Sequence, residues 1–346
     1  MPGYKKYCVG VFHFASPFGD ELVKRLNATE PFLIDSIEYK ITADDVKIHE
    51  FGLEWGSSHQ LIIDRGSHVY QQARNVFKML SFRGVHIINN PYSFEFFMNK
   101  DVGYYYVNML GVPVPPTYSL PPHDNFGFTP EELRNNLYFD WEKMIEEVGF
   151  PMFIKPAQGR GGLNTYEVRN YQELLEYYNR SGDSVMSLQK KIDSNRGYIV
   201  RTLCIGRKIL PVKYIFKNTD GPEYIYDESF LSPEEGRKVT EYARIINFVF
   251  GYKMNSVEFI IKDGIPWAID FNNPVPDGRK EALGEIYFND YQEALVNLVI
   301  ETAKSGKMSE FIPPMNKIAE LARLDIPPSE RCRRILKLAE DMYYNS

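Results

Sequence analysis

Cysteine is scarce in this chain. The three present, Cys8, Cys204 and Cys332, lie far apart and are odd in number. No Cys-x-x-Cys or Cys/His cluster accompanies them, which argues against a disulfide framework and a structural zinc site and fits a reducing cytoplasm. Long apolar runs are also missing. No stretch approaches the roughly 18 residues a spanning helix needs, so none is expected. The opening MPGYKKYCVGVFHF carries two lysines, but Gly10 and His13 break its apolar run. It reads as a first strand rather than a signal peptide. Positive charge is not in excess: 40 Lys and Arg face 46 Asp and Glu, a net charge of −6. That leaves no global field for nucleic acid or an anionic membrane, so any phosphate must be met by local cations. Internal repeats and low-complexity segments are absent.

What is present is ordinary globular material. At roughly 100–200 residues per domain, 346 residues suggest two or three domains. Aromatics make up 14% of the chain, which points to packing rather than disorder. Apolar strands at 7–14, 59–67 and 85–91 alternate with helical spacing, clearest over 69–84, and predict a small α/β domain with a parallel sheet. Residues 31–40 and 44–54 carry further apolar or alternating runs. A helix over most of 92–110 is stopped by Gly111, and Val112-Pro113-Val114-Pro115-Pro116 then forces an extended boundary. Thr129-Pro130-Glu131-Glu132 starts a helix expected to continue through 140–149. Residues 149–168 read as strand, glycine-rich loop, strand. A helix over 170–182, a strand at 184–192, a hairpin over 197–216 and a helix over 232–251 follow. After a second hairpin comes a helix over 287–306, then a tail in two helical pieces broken at Pro327-Pro328.

Several constellations carry chemistry. The stretch from Ser256 to Pro274 reads as a hairpin turning at Lys262-Asp263-Gly264, with Glu258 on one arm and Asp270 and Asn272 on the other. Residues i and i+2 of a strand face one side, so Asp270 and Asn272 point together and the hairpin brings Glu258 back to them. Two carboxylates and an amide oxygen suit Mg²⁺; the alternative is an ordinary solvent-facing hairpin edge. At Ile154-Lys155-Pro156-Ala157-Gln158-Gly159-Arg160-Gly161-Gly162 a strand delivers a lysine into three glycines, which lets backbone N–H groups approach a phosphate. This is not a P-loop, because the glycines follow the lysine; a glycine-rich turn is the other reading. Asn99-Lys100 is weak alone, since a lone lysine is usually solvated. Gln189-Lys190-Lys191-Ile192 is either a purine-binding extended segment or an edge strand. Arg201 lies among apolar neighbours and needs an anionic partner, a phosphate or a protein carboxylate. Lys213 sits on the other arm of the same hairpin.

Taken in order, these pieces resemble the ATP-grasp superfamily, and within it ligases of the glutathione synthetase, D-alanine–D-alanine ligase and ribosomal-protein glutamate ligase type. The resemblance runs to about residue 305. It implies an α/β and α+β chain: a pre-ATP-grasp α/β domain over 1–116, a small lobe over 117–195 and a large lobe with the metal site over 196–306. A C-terminal helical extension over 307–346 lies outside it. Residue by residue, Lys100 and Lys155 match nucleotide-binding lysines, and Gly159, Arg160, Gly161 and Gly162 match the loop over the phosphates. Gln189, Lys190, Lys191 and Ile192 match the adenine hinge. Arg201 matches a catalytic arginine on the phosphate side, with Lys155 beside it and Lys213 as a further contact. Glu258, Asp270 and Asn272 match the ligands of Mg²⁺ or Mn²⁺, with the acid types exchanged between the first two positions. Asp277 and Arg279 lie where acceptor contacts fall, or form a solvated charged turn. The implied reaction is ATP-dependent joining of a carboxylate to an amine, or less often a thiol, through an acylphosphate. The implied partners are small-molecule carboxylates and amines, an amino acid or peptide among them, and no nucleic acid or membrane; a homo-oligomer contact through the tail is open. A small-molecule kinase on this fold and a catalytically silent nucleotide-binding protein are the alternatives.

Overall fold

The computed structural model describes residues 3–14, 16–48, 56–124, 127–133, 140–158, 164–194, 196–217, 221–306 and 314–344. Three sheets organise them. The first is built from β1 (Lys5–Phe12), β2 (Phe32–Ile34), β3 (Ile37–Asp45), β4 (Leu61–Asp64) and β5 (His86–Ile88), in the order β2-β3-β1-β4-β5. β1, β3, β4 and β5 run parallel and only β2 is antiparallel, as the alternation of strands and helices requires. Helices α1 (Pro17–Asn27) and α2 (Gln71–Phe82) bury Leu22 and Leu26, and Val76, Phe77 and Leu80, against it.

The helix expected over 92–110 is two helices, α3 (Pro91–Phe96) and α4 (Lys100–Met109). Asn99 causes the break: its side chain accepts from the backbone N–H groups of Asp101 and Val102, an N-cap that starts a new helix at Lys100. The second sheet comprises β6 (Thr117–Leu120), β7 (Met152–Pro156), β8 (Tyr166–Val168) and β9 (Met186–Lys190), ordered β6-β9-β7-β8. Between its first two strands lie α5 (Pro130–Leu133) and α6 (Trp141–Val148). The expected single helix does not run through: Asp140 caps α6 afresh, accepting from the Lys143 N–H. Helix α7 (Tyr171–Asn179) covers this sheet.

The third sheet is antiparallel and ordered β12-β11-β10-β13-β14, from β10 (Ile199–Ile205), β11 (Lys208–Lys217), β12 (Gly221–Ile225), β13 (Met254–Lys262) and β14 (Ile265–Asn273). Helix α8 (Pro233–Phe250) begins with a Ser232/Glu235 capping box and ends at left-handed Gly251. Helix α9 (Lys280–Ser305) starts earlier than expected, with non-helical backbone at Gly284. No helix among the described residues is long and apolar enough to cross a membrane.

Two cores join these layers. On one, Leu203, Ile205, Val212 and Met254 of the third sheet pack with Tyr291 and Leu295 of α9 and with Phe18 and Leu22 of α1. On the other, α8 packs with Tyr104, Val107 and Leu110 of α4, so α4 belongs to the core of the third sheet. The tail forms α10 (Met315–Ala322) and α11 (Pro328–Ala339), as the Pro327-Pro328 break implies. It packs on the body: Ile318, Ile335 and Ala339 enter the second core, and Arg331 donates to the Met109 carbonyl at 2.9 Å. Gly111 permits that approach. Its φ is +90°, and a Cβ there would lie 2.5 Å from the Pro328 oxygen.

Candidate functional site

The third sheet sets opposing carboxylates side by side. Glu258 on β13 pairs with Asp270 on β14, and the register shifts on both sides of Glu258. Such bulges re-aim a side chain, and here the carboxylate meets Arg201 of β10, the next strand. Arg201 Nη2 lies 2.7 Å from Glu258 Oε1, and its Nη1 donates to the Tyr224 hydroxyl at 2.7 Å. Its guanidinium also stacks over Tyr214, 4.7 Å from the ring centroid. Of the two anionic partners its apolar setting allowed, the arginine has the protein carboxylate.

Cations close the other side. The N-cap of α4 points Lys100 at Asp270, Nζ to Oδ1 3.3 Å. The Lys100 backbone N–H donates to the Ala157 carbonyl, tying α4 to the end of β7. Lys155, on β7, donates to Gln189 Oε1 at 2.8 Å and to the Tyr104 hydroxyl at 3.2 Å. Three cations, Lys100, Lys155 and Arg201, thus face two carboxylates, and these same five groups are the charges that shift the acids. Burial pushes the Glu258 carboxyl up, and neighbouring Asp270 adds to the rise against the pull of Arg201. Asp270 moves down: burial opposes its charge, but Lys100 and Lys155 outweigh it. The excess of positive charge favours an incoming anion of phosphate type.

Burial lowers the Lys155 pKa below that of a solvated lysine, with Asp270 and Asp101 opposing. The ammonium is the form that attracts phosphate, and here it gives up its proton at lower pH than usual. Affinity for a phosphate ligand should therefore fall as the pH rises, starting below the range in which a solvated lysine loses its proton. A binding titration at rising pH checks this, and Lys155→Met should remove the alkaline limb.

Other residues singled out in the sequence fall differently. Asn272 lines a small cleft with Asp270 and Lys100. Its amide is held at both ends: Oδ1 accepts from the Tyr252 hydroxyl and Nδ2 donates to the Phe97 carbonyl, each at 2.7 Å. One lone pair of that oxygen remains for a cation. Gln189 is buried, and its Nε2 donates to Thr117 Oγ1 at 2.9 Å. Its side chain is engaged with Lys155 and Thr117. The Lys190 N–H is taken by the Pro116 carbonyl. Lys191, just past β9, pairs with Glu167 at 2.9 Å, and Ile192 is buried. Lys213 does not join the cluster. It pairs in register with Val200, while Arg201 pairs with Val212, and strand alternation puts the two cations on opposite faces. Lys213 is held by Asp227 at 3.0 Å. Arg279 clamps Asp277 through Nε–Oδ1 at 3.1 Å and Nη2–Oδ2 at 2.7 Å. Asp277 also feels Arg201, which places this turn beside the cluster. Gly159, Arg160, Gly161 and Gly162 lie outside the described residues.

Comparison with solved structures matches this arrangement over most of its length. A D-alanine–D-alanine ligase from Bacillus anthracis, complexed with ATP, superposes with a TM-score of 0.59 at 16% identity, covering 86% of this chain and 97% of that one. A RimK domain ATP-grasp protein from Sphaerobacter thermophilus gives 0.59 at 14% identity, covering 85% and 99%. The chain has the ATP-grasp fold. The macrocyclase MdnC from Microcystis aeruginosa, bound to its precursor peptide, gives 0.56 at 13% identity over 85% of this chain and 99% of that one. Among curated proteins, beta-citrylglutamate synthase B of Danio rerio is 26% identical over 139 residues, 39% of this chain and only 31% of that protein. No family model matches the chain.

The donor set of this chain fits a hard divalent cation. Glu258 and Asp270 are facing carboxylates with an amide oxygen nearby; burial raises the Glu258 carboxyl, and the Asp270 charge adds to the rise. Tyr104 is a residue that motif reading missed. Its hydroxyl donates to the Ile269 carbonyl, next to Asp270, and accepts from Lys155. The signal was available: Tyr104 is four residues after Lys100, on the same helix face. Tyr104→Phe should raise KM for ATP about three- to tenfold with little change in kcat, because it loosens Lys155 without removing a charge. Steady-state kinetics at varied ATP checks it.

Proposed function

We propose that this chain is an ATP-dependent ligase that activates a carboxylate as an acylphosphate and joins it to an amine. One observation carries the reading: Glu258 and Asp270 face each other on adjacent strands, ringed by Lys100, Lys155 and Arg201. The ATP-grasp fold and the relatives, which include ligases acting on amino acids and peptides, support the same reading.

Glu258, Asp270 and Asn272 would hold Mg²⁺ or Mn²⁺. Once bound, the ion would supply positive charge to offset that of the phosphates. Lys100 and Lys155 would hold β- and γ-phosphate oxygens from the α4 and β7 sides. Arg201 would turn from Glu258 towards the transferred phosphoryl group, whose charge grows as the substrate carboxylate attacks. Phosphoryl transfer needs little covalent help from protein side chains, so positioning and charge carry the rate. Gly159, Arg160, Gly161 and Gly162 would cover the phosphates and keep water from the acylphosphate. The turn at Asp277 and Arg279 lies where an amine substrate would approach, on the Arg201 side. The proposed lobes keep the boundaries 1–116, 117–195, 196–306 and 307–346, with the cleft between β7–β9 and the third sheet as the nucleotide site.

Incubating the protein with ATP, Mg²⁺ and pooled carboxylates and amines, then reading coupled products by mass, tests this. A condensation product formed with ADP supports a ligase. A phosphorylated alcohol would replace this reading with a kinase.

A further inference from the structure

The ATP cluster uses one face of α4, where Lys100 and Tyr104 sit. The neighbouring face lines a separate space. Between α4 and α10 lies a cavity of about 320 Å³, remote from Asp270 and Glu258 in its lining. Tyr105, Tyr106 and Met109 wall it from α4, and Met315, Ile318 and Ala322 wall it from α10. Tyr105 keeps 61% of its surface exposed, and Phe96 at the same cavity keeps 44%. Exposed aromatics gathered around a concavity are the usual lining of a small-molecule site. The volume lies at the low end of the roughly 300–1,000 Å³ such sites span, which suits a compact ligand rather than a partner's helix.

Charge narrows the ligand. Among the described residues of the lining, Arg323 is the one cation and none is Asp or Glu. The Arg323 guanidinium has no ion-pair partner among the described residues, and Asn316 adds an amide to the lining. We infer that this cavity binds a small organic acid: a flat aromatic or short apolar body between Tyr105, Tyr106, Met315 and Ala319, with one anionic group at Arg323. The site is independent of the proposed ligase reaction, since α4 separates it from the nucleotide cluster. Its occupant nonetheless sits near that machinery. Tyr106 packs edge-on against Phe97 at 6.2 Å, and the Phe97 carbonyl holds Asn272.

The test uses the full chain with saturating Mg·ADP and two fluorescent probes of similar shape. Anilinonaphthalene sulfonate carries a negative charge; phenylnaphthylamine carries none. One saturable equivalent of each is expected, undisplaced by the nucleotide. Ala319→Trp, which fills the cavity, should weaken both probes at least about tenfold. Arg323→Gln changes an exposed side chain and should keep the fold. It should weaken the sulfonate about threefold, in line with an exposed charge pair, and leave the uncharged probe unchanged. If Ala319→Trp fails to fold, Arg323→Gln decides alone. Non-saturable binding, displacement by Mg·ADP, or an Arg323→Gln protein that treats both probes as wild type does would overturn the assignment.

Discussion

Asp270→Asn is expected to abolish ADP formation, by at least about a hundredfold in kcat, while the protein stays folded. The change is isosteric. The amide oxygen can still accept from Lys100, and the β13–β14 register is set by backbone pairing that the substitution does not touch. What disappears is one of the two facing negative charges. Asp270 is the acid whose carboxyl is pulled down by Lys100 and Lys155, so it is the one held ionised and ready for a cation. The stability cost should be only on the order of 1 kcal/mol, because the lost attraction to the lysines is offset by relief of the repulsion on Glu258. Circular dichroism and thermal melting should match wild type while ADP release does not. Near-normal turnover would contradict the metal-binding role.

Asn89→Ala should be the largest loss of stability from one surface-remote polar residue, about 3–5 kcal/mol. Asn89 is buried at the end of β5, where the first sheet meets the third. Its Nδ2 donates to the Met254 carbonyl at 2.6 Å and the Pro274 carbonyl at 3.0 Å. Its Oδ1 accepts from the N–H groups of Lys253 and Met254, each at 2.8 Å. One side chain thus satisfies backbone at the start of β13 and just past β14, the two ends of the hairpin that carries Glu258 and Asp270. Alanine leaves buried donors and acceptors without partners, a cost larger than the bonds' net worth. The unfolding midpoint in urea measures it. A shift equivalent to less than about 1 kcal/mol would show that water or rearrangement replaces the amide.

The hairpin was legible in the sequence because period-two alternation and the Lys262-Asp263-Gly264 turn fix its register. The bulges around Glu258 were not, since they depend on pairing with β10 and β14 together. Lys100 looked unremarkable until Asn99 proved to be a cap that aims it. Gln189 looked like a hinge residue; only the packing of β6, β7 and β9 shows that it bridges Lys155 and Thr117. Lys213 and Arg201 lie on arms of one hairpin, and their faces are separated by a one-residue offset in register. Arg65 shows the limit most clearly. It follows β4 in the first sheet, yet its guanidinium lies 4.0 Å over Phe18 and donates to the Tyr291 hydroxyl at 2.5 Å and the Pro276 carbonyl at 3.1 Å. It therefore supports the turn that carries Asp277 and Arg279 from a residue 211 positions away. No local pattern encodes such a contact.

The central claim is that a carboxylate is phosphorylated in this site. Hydroxylamine trapping tests it most directly: the protein is incubated with Mg·ATP, a carboxylate pool and hydroxylamine in place of the amine. The account predicts a hydroxamate of a particular carboxylate, formed in step with ADP and lost in Asp270→Asn. ADP release without any hydroxamate would contradict it.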